Sequence, residues 1–328
     1  MAECKQIVWS GRDGYLLHAS GYKAVVVPSL GANVVALYSE FEGHSLDILN
    51  TPADDKALID DPYAYGVPVL FPANRVAGGS YCWDGVTYTF PQNYPNGVHI
   101  HGVLHNRPWP VQDCGTTQER AWIRLGMNTK VDAQLRSHFP IDMAISLEIS
   151  VSPKGLTHLF TVTNDSDREL PVGLASHTAF RVRFAGNPSA VRLSVPLLAR
   201  CTEDGRDRLP DGRTAALDDF EQRIASARGA YPLEKAVDVL YTSVPGAHEA
   251  VLTDGELGCQ VVYRVGEDDR YWILWNKTAR EGFISVEPQT WLSDAMHLQS
   301  PGACGALFVQ PHSCWSNECS IFVRPAKG

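Results

Sequence analysis

Apolar and polar residues alternate with a period of two along most of this chain. In MAISLEISV, Met143, Ile145, Leu147, Ile149 and Val151 fall on one face and Ala144, Ser146, Glu148 and Ser150 on the other, which predicts a half-buried strand. SPKG (Ser152 to Gly155) supplies turn chemistry before LTHLFTVTN, so a hairpin ending at Asn164 and Asp165 is expected. YKAVVVPSL, AVRLSV, CQVVYRV, RYWILWN, GFISVE and CSIFVRP repeat the strand pattern. One stretch departs from it. In LDDFEQRIASARG, Leu217, Phe220 and Ile224 stand at i, i+3 and i+7 ahead of Gly229, which predicts a short surface helix within a long connection. No Pro/Ser linker, internal repeat or low-complexity tract divides the chain, so residues 1–328 are expected to form one domain. The expected class is all-β, a large β-sandwich of stacked antiparallel sheets with few short helices, whose concave side can hold a ligand.

Composition narrows the partners. A chain of 328 residues can bury a sizeable core, and a formal charge of -9 without a lysine/arginine cluster argues against nucleic acid. No window approaches the roughly 18 consecutive apolar residues of a membrane span, and MAECKQIVWSGRDG lacks the apolar core of a signal peptide. No membrane partner and a cytoplasmic location are therefore expected. The 8 cysteines form no CxxC pair, which fits reduced core thiols better than a disulfide framework.

Three stretches carry candidate chemistry. In FPANRVAGG, Arg75 stands between an apolar approach (Val67 to Pro72) and a glycine-rich turn, and HIHGVLH follows with His99, His101 and His105. His99 and His101 would share a strand face, and with His105 they make an HxHxxxH set open to a transition metal. Spacing fixes no fourth ligand, so no metal is expected, and ligand contact or surface exposure explains the histidines as well. In PVGLASHTAF, Gly173 and Ala175 share strand parity with His177 and leave room for a ligand, while Val172 and Leu174 face the core. A satisfied structural histidine in an apolar strand has the same signature. In GFISVEPQTWLSDA, Ile284 and Val286 point one way and Phe283, Ser285 and Glu287 the other, and Pro288 is expected to end the ladder. That presents a carboxylate at a strand terminus, either as an ordinary exposed side chain or as a functional one. No phosphate loop, GxSxG elbow or Rossmann fingerprint competes.

In this order and at these separations, NRVAGG, HIHGVLHNRPW, LTHLFTVTNDSDRELPVGLASHTAF and ISVEPQTW resemble the aldose 1-epimerase (galactose mutarotase) family, as does PSLGANVVAL (Pro28 to Leu37). The resemblance implies a β-supersandwich that interconverts the α and β anomers of a free aldose by ring opening and closure. It implies Glu287 as general base and His177 as general acid. It also implies that Asn74, Arg75, His101 and Asp238 (in AVDVLYT) contact the sugar, with Trp275 (in WILWN) adding an apolar face. A monosaccharide is the implied partner, and no metal or organic cofactor is required.

These residue types suit the chemistry. The C1 hydroxyl must lose a proton while the ring oxygen gains one, and histidine, with a reference pKa of about 6.5, serves one end while a shielded carboxylate serves the other. Family members often carry HPYF where this chain has HTAF, and HGG or HGF where it has HIHGVLH. Both departures leave the reaction type intact and the sugar open. A hexose-6-phosphate mutarotase would share the pair but need a cationic pocket, for which Arg107 in HNRPW is a candidate. A non-catalytic sugar-binding protein on the same scaffold would need no acid/base pair. A carbohydrate lyase or hydrolase on a related sandwich is a third alternative.

Overall fold

The hairpin around SPKG sets the pattern that the rest of the structure repeats. A computed structural model of the chain describes residues 1–205 and 207–326. Met143–Ser152 and Gly155–Asn164 pair antiparallel, from Met143 opposite Asn164 to Ser152 opposite Gly155. Met143, Ile145, Leu147, Ile149 and Val151 are buried while Ala144, Ser146 and Glu148 are partly exposed, as the alternation requires; Ser150 is the exception, buried with the apolar set.

This hairpin lies inside an 8-stranded antiparallel sheet ordered Val111–Thr116, Ala121–Asn128, Met143–Ser152, Gly155–Asn164, Ser313–Pro325, Cys259–Arg264, Glu249–Asp254, Val191–Ser194. A second 8-stranded sheet runs Pro210–Ala215, Leu197–Glu203, Asp238–Ser243, Tyr271–Trp275, Phe283–Gln289, Ala175–Ser176, Val69–Leu70, with Thr178–Arg181 also paired to Phe283–Gln289. A 5-stranded meander from Glu3 to Asp47 precedes both. The all-β class expected from the alternation is the class observed.

One apolar core joins the three sheets. Ile123, Leu147 and Val162 come from the first, Trp272, Leu274, Ile284 and Val286 from the second, and Leu17, Val26 and Leu37 from the meander. Each such side chain contributes about 1.5–3 kcal/mol when fully buried. The second sheet has another use for its far face. Because Trp272 and Leu274 point into this core, Tyr271, Ile273 and Trp275 gather on the opposite side. By the same parity Ile284 and Val286 point inward and Ser285 and Glu287 outward.

The predicted helix is Asp219–Ala225, started by an Asp218/Glu221 capping box and burying Phe220 and Ile224. Two further helices, Asp55–Asp60 and Ala133–His138, have 6 residues each, too few for a helical period to stand out. Among the described residues no helix is long and apolar enough to cross a membrane.

Two expectations are corrected. Pro288 does not end the ladder: the strand continues to Gln289, with Trp272 opposite Pro288 and Tyr271 opposite Gln289. Proline removes only one donor, and the neighbouring strand is itself broken beside it, between Ala175–Ser176 and Thr178–Arg181. The cysteines are not all core thiols. Cys201, Cys259 and Cys319 are buried, but Cys82, Cys114 and Cys314 are exposed, because strand alternation sends them outward.

Candidate active site

Strand register alone assembles one wall of a cavity. On the outer face of the second sheet Asp238 pairs with Trp275, Trp275 with Ser285, and Ser285 with Ala179; two residues along, Leu240 pairs with Ile273 and Ile273 with Glu287. Thr178 lies opposite Val286 and Ala175 opposite Gln289, so the same register sets His177 opposite Glu287. Directly opposed residues hold their Cβ atoms about 4.5–5.5 Å apart, and here the side chains meet. His177 Nε2 lies 3.0 Å from Glu287 Oε1. The approach is out of line for a hydrogen bond, which leaves Oε1 without a hydrogen-bond partner among the described residues. His177 Nδ1 lies 2.9 Å from the hydroxyl of Ser285, its diagonal neighbour. Trp275 stands edge-on to the imidazole with ring centroids 5.4 Å apart.

Loops build the facing wall, and they need backbone shapes that periodicity does not reveal. Asn74 has φ of 55° and His101 of 67°, in the left-handed region where Asn and His are tolerated. Arg75–Val76 pairs with His99–Ile100, and the His101 N–H donates to the Asn74 carbonyl at 2.8 Å, which fastens the two stretches together. Gly102 completes the join. Its φ is 66°, and a Cβ there would sit 2.4 Å from the Phe71 carbonyl carbon, so no other residue fits. Asn74 Nδ2 donates to Gln289 Oε1 at 3.3 Å, tying this wall to the sheet. Arg75 Nη1 donates to Asn74 Oδ1 at 3.1 Å, and the guanidinium lies 4.9 Å over the Tyr94 ring. Tyr63, just beyond the helix Asp55–Asp60, sets its ring 4.3 Å from His101 and 5.4 Å from His177. The two walls enclose about 380 Å³, lined by Tyr63, Asn74, Arg75, Asn93, Tyr94, Ile100, His101, His177, Arg208, Asp238, Ile273, Trp275 and Glu287.

Burial governs the protons. Desolvation, then the Asp238 carboxylate, pushes Glu287 well above the ordinary carboxylate range, while Ser285 and Arg75 act the other way. Desolvation drives His177 down to about 3, with its own backbone carbonyl and that of Tyr63 opposing the shift and His105 adding to it. His101 falls well below the usual histidine value through burial, then through His177 and His105. Burial thus disfavours the charged form of each partner. The uncharged arrangement is favoured, and the ion-pair arrangement is reached by moving a proton from oxygen to nitrogen. Such a pair can take a proton from one ligand oxygen and give one to another. At the rim, Arg208 is held by the Asp238 carboxylate and by Glu203 at 3.0 Å, and it donates to the Asp238 carbonyl at 2.8 Å.

The cavity gathers all of Glu287, His177, Asn74, Arg75, His101, Asp238 and Trp275. Glu287 is buried, at 2 % exposure, rather than presented at an exposed strand end. The histidines of HIHGVLH do not converge. The strand stops at Ile100, so His99 and His101 share no face: His99 stacks on Phe90 with Nδ1 2.6 Å from the Pro91 carbonyl, and His105 Nε2 meets the Tyr63 hydroxyl at 3.1 Å. Arg107 lies off the cavity, paired to Asp132 at 2.5 Å. The room expected beside Gly173 is filled by Trp291, whose ring a Cβ there would meet at 2.0 Å, so this glycine accommodates a tryptophan and not a ligand. Tyr63, Asn93, Tyr94 and Arg208 escaped the sequence reading. They stand in turn-rich loops, where no period marks the inward residue.

A sequence profile of a family described as aldose 1-epimerase matches residues 13–318. A galactose mutarotase-like protein from Clostridium acetobutylicum is 27% identical, with a TM-score of 0.89 over 99% of each chain. A galactose 1-epimerase from Lactobacillus acidophilus NCFM is 14% identical with a TM-score of 0.73, and an aldose epimerase homologue from C. elegans is 16% identical with a TM-score of 0.69, each over 100% of both chains. The last two likenesses concern the fold alone.

Proposed function

The chain belongs to the aldose 1-epimerase family, and on that premise we propose that it interconverts the α and β anomers of a free aldose. The observation that carries this reading is the 3.0 Å approach of His177 Nε2 to Glu287 Oε1 on the floor of the cavity. Glu287, as carboxylate, takes the proton of the C1 hydroxyl while His177, as imidazolium, gives its Nε2 proton to the ring oxygen. The bond between C1 and the ring oxygen breaks and leaves an open-chain aldehyde. Rotation about the C1–C2 bond presents the other face, and closure runs with the two roles exchanged, so no net proton is consumed.

Arg75 and His101 hold hydroxyls and stabilise charge on the ring oxygen as it develops, an effect strengthened where water is excluded. Asn74 and Asp238 bond further hydroxyls, and Trp275 and Ile273 offer apolar surface to the C–H face of the sugar. A cavity of about 380 Å³ suits one sugar ring. A free aldose is favoured over a sugar phosphate because, among the described residues, Arg208 is committed to Asp238 and Glu203 and Arg107 to Asp132.

Polarimetry of freshly dissolved anomers tests the reading, run across galactose, glucose, xylose, arabinose, fucose, rhamnose and the hexose 6-phosphates. The expected result is accelerated mutarotation of at least one free aldose, with no change in product mass. Clear binding without mutarotation of any sugar would favour a non-catalytic protein, and a mass change would favour bond cleavage by a lyase or hydrolase.

A further inference from the structure

The geometry points to Ser285 as the positioning residue that fixes the tautomer of His177, so that Nε2 and not Nδ1 is the nitrogen offered to the sugar. The inference rests on the acid role proposed for His177. Ser285 is fully buried, and its hydroxyl lies 2.9 Å from His177 Nδ1 and 3.4 Å from the Thr178 carbonyl. A serine hydroxyl has one proton and two lone pairs, and a carbonyl can only accept. The hydroxyl proton has two acceptors besides Nδ1, the Thr178 carbonyl and the neighbouring Glu287 carboxylate; turned to either, it leaves a lone pair facing Nδ1, and we infer that Nδ1 carries the hydrogen.

The reaction makes the same demand. Imidazolium gives up its Nε2 proton and regains it on ring closure, so Nδ1–H is present in both forms and needs an acceptor in both. Were Ser285 to donate to Nδ1 instead, the neutral ring would hold its hydrogen on Nε2 and could not take up there the proton it must give to the ring oxygen. Strand parity explains the placement: Ser285 and Glu287 are two apart on one face of Phe283–Gln289, and the imidazole spans both. Thr178 is itself anchored from the core side, where its hydroxyl donates to the Tyr263 hydroxyl at 2.9 Å.

Nitrogen NMR of histidine-labelled protein, with His177→Asn to assign the signals, reads the tautomer directly. We expect hydrogen on Nδ1 of His177 in the wild type, and loss of that preference in Ser285→Ala. In the same variant kcat for the best aldose should fall about 10- to 100-fold with KM within about threefold, the scale seen when an orienting partner is removed. Ser285→Thr, which keeps the hydroxyl, should restore most of the rate and the tautomer. Hydrogen on Nε2 in the free wild type overturns the inference, as does a folded Ser285→Ala with wild-type tautomer and kcat. If Ser285→Ala does not fold, the wild-type spectrum and Ser285→Thr still decide. If the wild type turns over no sugar, the spectra still test Ser285, so that failure belongs to the functional reading alone.

Discussion

The two walls of the cavity were made by different physics. The sheet wall (Asp238, Trp275, Ser285, Glu287, His177) is placed by register, so each side chain's direction follows from a period of two and from the residue it opposes. The loop wall (Tyr63, Asn74, Arg75, His101) is placed by left-handed backbone at Asn74 and His101 and by close packing of Gly102 on Phe71. A slip of one residue would turn the whole sheet wall toward the core, where burial of Ile284 and Val286 forbids it. The loop wall has no such global restraint. It depends on a few local contacts, each of which can be broken alone.

The largest expected effect comes from breaking the sheet wall chemically while leaving its register intact. Glu287→Gln keeps shape and one acceptor oxygen but cannot take a proton, so the mutarotation rate should fall about 10²- to 10⁴-fold. Sugar binding should stay within about tenfold, roughly 1.4 kcal/mol. His177→Asn should act similarly, and the double variant should be far from additive because the two act as a unit. A binding isotherm and a polarimetric rate on the same samples check this. Full activity in Glu287→Gln would remove it as the base.

Breaking the loop wall sterically comes next. Gly102→Ala places a methyl 2.4 Å from the Phe71 carbonyl carbon in a left-handed backbone, and should destabilise the fold by about 2–4 kcal/mol. Urea unfolding measures it. A stable Gly102→Ala with normal sugar binding would mean that the loop wall is far more pliant than its contacts imply.

Arg75→Lys probes the same wall at lower cost. A lysine ammonium cannot reproduce the guanidinium fork that reaches Asn74 while lying over Tyr94, so kcat/KM should drop about tenfold, through both weaker sugar binding and slower turnover. Wild-type kinetics in a folded variant would take Arg75 out of the site.

The smallest effect is expected at His99, which belongs to the loop stretch but not to the cavity. Burial lowers its pKa to about 4, against about 6.5 in the unfolded chain, so the unfolded state binds the proton first as pH falls. The stability involved is present above about pH 6.5 and is lost as pH falls toward 4, with a slope of up to about 1.4 kcal/mol per pH unit. His99→Phe should flatten the acid limb of stability against pH by about that slope, and leave turnover at neutral pH within a few-fold. An unchanged limb would show that His99 is not held neutral.

Legibility followed the same division. The face shared by Ser285 and Glu287 could be read in GFISVE, since alternation is local, and the hairpin at SPKG likewise. HIHGVLH misled because strand parity was extended past Ile100, where His101 takes a left-handed turn. Gly173 misled because a small residue signals only that something comes close. Here it is the Trp291 ring. The resemblance to the aldose 1-epimerases supplied candidates on the loop wall that no periodicity marks, but not Tyr63, Tyr94 or Arg208.

By itself the sequence determined the longer strands and most of their buried faces, the capped helix at Asp219–Ala225 and the face of Phe283–Gln289 that Ser285 and Glu287 share. These follow from sterics and burial within a few neighbouring residues. Only the tertiary structure decided that His177 stands opposite Glu287 with Ser285 at its other nitrogen, that Arg208 is spent on Asp238, and that Tyr63 closes the cavity beside His101. Those pairings join segments far apart in the chain, and register between such segments is set by the burial of whole sheet faces, a quantity no local window contains.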